Sequence, residues 1–193
     1  MTLARLDNFK PRTLIRYGTV AFILLIALAY TLYPHWVTLS DFVHDWYTLI
    51  PFVLAMFIAI LELGYVGNRL YRHVQFRISA ALLYASAISA CLILCVPYTG
   101  SALEKDLHDA IGMLFVILAA SGFISIAKNL RQYAVGILGG LMFGLCILEA
   151  VFLARYKTHP VYSWVWTVME LIGIATMMVT LFIVGGIIET RGE

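Results

Sequence analysis

Ser40, Asp41, His44 and Asp45 crowd one short stretch, and His108 adjoins Asp109 in a second. A histidine next to a carboxylate suits general-base work, because the acid can hold the imidazole in one orientation. Asp41 or Asp109 would orient His108, and Ser40 would serve as nucleophile or substrate contact. His44 and His108 with a carboxylate form the candidate zinc set, whose bound water would attack an ester. No His-x-x-x-His or His-Glu-x-x-His spacing supports a metal. Metal content and cofactor stay open. Haem is disfavoured, since axial ligation needs histidines that face each other within a bundle, and these lie at helix ends or in loops.

The elements that position these residues are apolar helices. The chain has 193 residues, 62% of them hydrophobic and 12% charged. A soluble domain averages about 45–50% apolar and about 25% charged. Apolar runs fall at 19–36, 48–66, 78–97, 110–127, 133–154 and 162–188. Each is long enough for a bilayer core about 30 Å thick. The predicted fold class is all-α, an integral membrane six-helix bundle forming a single domain over residues 1–193. The first run has a basic leader and an Ala27-Leu28-Ala29 triplet resembling a signal cleavage site, and is read as a retained helix. The net charge of +2 and the absence of a binding pattern exclude a nucleic-acid partner.

Basic residues set the orientation. Arg5, Lys10, Arg12, Arg16, Arg69, Arg72, Arg77, Lys128, Arg131 and Arg191 fall on one side, against Lys105, Arg155 and Lys157 on the other. Both termini are therefore expected in the cytoplasm, with the chain multi-pass in the cell membrane. Trp36, Trp46, Trp164 and Trp166 then line the outer interface as an aromatic belt.

The outer side also collects His35, His44, His108 and His159, with Asp41, Asp45, Glu104, Asp106 and Asp109. Ser101 and Glu104 have capping-box spacing, so the fourth helix should start near Ala102 rather than at the apolar run. His108 then sits in its second turn. Glu149 and Glu170 lie in the outer half of their spans, where carboxylates are costly and face a bundle interior or polar cavity. Arg155 at the rim suits an anion such as a phosphate headgroup. The expected result is an outward-facing pocket lined by Ser40, Asp41, His44, Asp45, His108, Asp109, Glu149 and Glu170. Glu62, nearer the inner end, is read as pairing with Arg69 or Arg72. Gly136, Gly140 and Gly144 predict close helix packing within the molecule. Cys91, Cys95 and Cys146 are read as buried packing thiols.

"TLSDF" after the first span and "VPYTGSALEKDLHDAIGMLF" between the third and fourth resemble the domain of unknown function 998 family. That resemblance implies a small membrane protein with one site built on Ser40, Asp41 and His108, near Pro97. Phe42-Val43 replaces the usual Leu-Gly, and Val96 replaces an aromatic before the proline. The family has no assigned activity, so the function rests on the residues.

The leading reading is a binding role, toward membrane lipids or a membrane protein partner. The alternative is a membrane-embedded hydrolase or transferase acting on a lipid at the outer face. A proton relay through Glu149 and Glu170 is disfavoured by the lack of a repeat or broken-helix pattern.

Overall fold

A computed structural model describes residues 11–32, 46–96, 101–156 and 163–191. They form six α-helices: α1 Pro11–Leu32, α2 Trp46–Tyr71, α3 Arg77–Cys95, α4 Ala102–Leu130, α5 Tyr133–Tyr156 and α6 Ser163–Arg191. A single 3₁₀ turn, Val74–Phe76, joins α2 to α3. All six helices are long and apolar enough to cross a membrane. Ile23, Leu24, Phe57, Leu61 and Ile137 are exposed around the bundle, as expected of surface that meets hydrocarbon rather than water. Trp46, Trp164 and Trp166 fall in the first turns of α2 and α6, whereas Trp36 lies outside the described residues.

Each helix packs on the next in sequence, and α6 returns to α1 and α2. Gly185 of α6 packs on Ile15 and Arg12 of α1, which brings the start of α1 and the end of α6 to one end of the bundle. That end carries Arg12, Arg16, Arg69, Arg72, Arg77, Lys128 and Arg131, and we call it the basic end. The opposite, acidic end carries Glu104, Asp106, Asp109, Glu149 and Glu170.

Small hydroxyl residues join α3 to α4. Ser79 Oγ donates to Ser125 Oγ at 2.8 Å, and Ser86 Oγ donates to the Phe115 carbonyl at 3.0 Å. At the basic end Asn129 Nδ2 donates to the Gln75 carbonyl at 2.8 Å. Where the surroundings are apolar, such bonds and the close approach that serine and alanine allow replace hydrophobic burial as the glue between helices.

The α4–α5 connection is two residues long, Arg131 and Gln132. Arg131 adopts the left-handed conformation (φ 55°, ψ 38°), and the Gln132 N–H closes back on the Ala127 carbonyl at 3.0 Å. Lys128 and Arg131 there suit the negative pole of α4.

Three expectations change. α1 begins at Pro11 rather than near residue 19, because proline at a first helical position leaves no ladder donor unmet and Arg12 and Arg16 continue the helix beyond the apolar run. Cys91 and Cys95 are exposed, and only Cys146 is buried. The glycine stripe of α5 divides: Gly136 and Gly139 meet Ala127, Ala120 and Ile124 of α4, whereas Gly140 and Gly144 meet nothing. Each four-residue step drifts about 40° around the helix, so residues 140 and 144 rotate progressively off the line along which 136 and 139 meet α4.

Candidate polar site at the acidic end

The helix carrying His108 starts where the capping box predicted. Ser101 N–H donates to Glu104 Oε2 at 2.5 Å, and Glu104 N–H donates to Ser101 Oγ at 3.4 Å. Two of the unpaired donors of the first turn are thereby satisfied reciprocally. Asp106 is exposed beside them.

His108 follows in the second turn and turns inward toward α3, 5% exposed. Its Nδ1 lies 2.8 Å from the Val96 carbonyl oxygen. A carbonyl only accepts, so the proton sits on Nδ1 and Nε2 is the acceptor of the neutral ring. Val96 is free to be met because α3 ends there: its backbone is extended (φ −105°, ψ 108°) and its N–H closes on Ile93. The last carbonyls of a helix have no intrahelical donor. One of the contacts joining α3 to α4 is thus made by the histidine itself.

Asp109 is half-buried, and its Oδ2 is sealed from solvent without a hydrogen-bond partner. Lys105 stands one turn back on the same helix.

α5 sets Glu149 against this region. Gly139 lies against Ala120 and Ile124, and the Cys146 Sγ approaches the Met113 carbonyl at 3.8 Å. Since α4 and α5 run antiparallel, one further turn toward the acidic end puts Glu149 level with Asp109. α6 adds Glu170. Asp109, Glu149 and Glu170 each lie seven residues inside the acidic end of their helices, about 10 Å along the axis. Glu149 and Glu170 are half-buried, as Asp109 is. Counted from the helix ends, the three carboxylates stand at equivalent positions on three consecutive helices, and we call them the carboxylate layer.

Ser40, Asp41, His44 and Asp45 lie outside the described residues. Arg155 is in the last turn of α5, and its side chain also falls outside them. The structure therefore brings together His108 and Asp109 on α4, with Glu149 and Glu170 at matching depth. Among the described residues no group of three His, Cys, Asp or Glu side chains is gathered closely enough to hold a metal ion. Of these three acids it is Asp109 whose sealed Oδ2 an entering donor would satisfy.

No family model, no curated protein and no solved structure matches the chain.

Proposed function

We propose that this chain is a multi-pass cell-membrane protein, with its basic end and both termini in the cytoplasm, that binds an amine-bearing phospholipid headgroup at its acidic end. The excess of lysine and arginine at the other end supports the orientation. The observation that carries the binding role is the carboxylate layer of Asp109, Glu149 and Glu170, in which Asp109 Oδ2 is sealed and unpartnered. A buried carboxylate oxygen without a donor costs free energy that an entering ammonium group would recover. Arg155, placed beyond this layer on α5, suits the phosphate of the same headgroup. The grouping with the domain of unknown function 998 family belongs to this proposal, and would place Ser40 and Asp41 with His108 in the same site.

Catalysis on a lipid is the second reading, and it draws on the His108 tautomer. An Nδ1–H held by Val96 fixes the ring and makes Nε2 the basic nitrogen.

The test is lipid binding to the purified protein, followed by native mass spectrometry with phosphatidylethanolamine and with phosphatidylglycerol. Asp109→Asn combined with Glu149→Gln should weaken retention of phosphatidylethanolamine roughly tenfold or more, given about 1.5–3 kcal/mol for a hydrogen bond to a charged group. Equal retention of both lipids, unchanged by the substitutions, would overturn the binding role. Lipid turnover lost in His108→Ala would favour the enzyme, and a protein that co-purifies and is released by the same double substitution would favour a membrane partner.

A further inference from the structure

A second buried acid lies far from this site. Glu62 is in α2, about 5 Å from the midpoint of that helix. It is 4% exposed. Both carboxyl oxygens are sealed from solvent, and neither has a hydrogen-bond partner. The expected pairing with arginine is not made. Arg69, two turns on, directs Nε and Nη2 to the Tyr65 hydroxyl at 3.3 and 3.2 Å.

The neighbour across the interface is a glycine. The Glu62 carboxyl lies against Gly18 of α1 so closely that a Cβ there would collide with Oε1. The next residue, Thr19, also buries a hydroxyl oxygen without a partner. α1 thus withholds a side chain where the carboxyl sits, and carries an unmet oxygen one residue away. A gap that served only packing would be filled by an apolar group; this one holds an acid.

The other titratable groups of the packed helices are engaged elsewhere or face outward. Arg12 of α1 stacks on Phe182 of α6 at 4.8 Å, and Arg16 and Tyr17 are exposed. Tyr84 of α3 lies against Gly67. Glu189 of α6 borders a groove of about 320 Å³ at the basic end with Arg12. None of them donates to Glu62.

An isolated carboxylate in a low-dielectric interior is too costly to persist, so the group must be neutralised by what it binds. We propose that Glu62 is an intramembrane binding site for one monovalent cation, a proton or a sodium-sized ion, held by the carboxyl where it sits against Gly18. Bound as a proton, the cation turns Glu62 into a neutral acid. Bound as an alkali ion, it takes the carboxylate oxygens as ligands, and Thr19 Oγ1, buried without a partner beside Gly18 in sequence, is the candidate for a third.

Dicyclohexylcarbodiimide distinguishes these states, because it dissolves in the bilayer and adds covalently to neutral carboxyl groups there. The full chain in vesicles should be treated with the reagent and the adduct mapped by peptide mass spectrometry. Glu62 should be modified severalfold faster than Glu149 or Glu170, with modification declining as pH rises, and Glu62→Gln should lack that adduct. Protection by sodium chloride but not by choline chloride at fixed pH identifies an alkali ion. Equal rates in the two salts identify the proton. Modification of Glu149 and Glu170 with none at Glu62 would overturn the site.

Discussion

His108 and Glu62 are withdrawn from solvent almost equally, 5% and 4% exposed, yet one is bonded and the other is not. The difference lies in where each stands along a helix. His108 sits near the end of α3, where the ladder runs out and the Val96 carbonyl is available. Glu62 sits mid-helix, where every nearby backbone N–H is already used by the ladder. A carboxylate can only accept, so at that depth it needs a side-chain donor, and none reaches it. A buried titratable residue at a helix end can be structural glue. The same burial at mid-span leaves a group whose partner must come from outside the chain.

The largest effect should come from filling the space at Gly18. Gly18→Leu drives a side chain into the Glu62 carboxyl and should destabilise the bundle by about 3 kcal/mol, the upper range for overpacking. Thermal unfolding in detergent measures it. Combining it with Glu62→Ala should return most of the loss, because the two residues share one space. Additive losses would break the comparison on the Glu62 side.

A smaller effect tests the other member. His108→Ala strands the Val96 carbonyl and leaves a cavity, at a cost of about 2 kcal/mol in the same assay. Unchanged stability would mean that the bond to α3 contributes nothing, and His108 would then stand beside Glu62 as a group without structural purpose.

The smallest expected change sharpens the comparison most. Glu62→Gln should shift stability by less than about 0.5 kcal/mol if the carboxyl is already protonated, since shape and neutrality are both kept, whereas a bound alkali ion would make the loss grow with salt concentration. A bare buried carboxylate would instead be relieved, and stability would rise by about 3 kcal/mol or more.

The layout of helices was readable because hydropathy alone demands it: each apolar run must be hidden from water, and runs of that length have few other forms. The start of α4 was readable for a different reason, since Ser101 and Glu104 satisfy each other locally and need no tertiary context. His108 was legible as a residue turned inward, but its partner was not, because Val96 becomes an acceptor only where α3 ends. Glu62 was misread. Arg69 lies on its face two turns along, which makes pairing the natural expectation, but Tyr65 stands between them and takes the guanidinium. The common depth of Asp109, Glu149 and Glu170 needed helix boundaries finer than apolar runs provide.

The two-residue turn at Arg131 and Gln132 acts as a ruler. Helices transmit axial position like rigid rods, so the offset between α4 and α5 chosen at the turn is reproduced at Asp109, about 32 Å away. A residue added to that turn would advance or rotate one rod relative to the other, and no flexible segment between the turn and the acidic end would absorb the slip. The level of the carboxylates at one end of the molecule is therefore fixed by a left-handed arginine at the other.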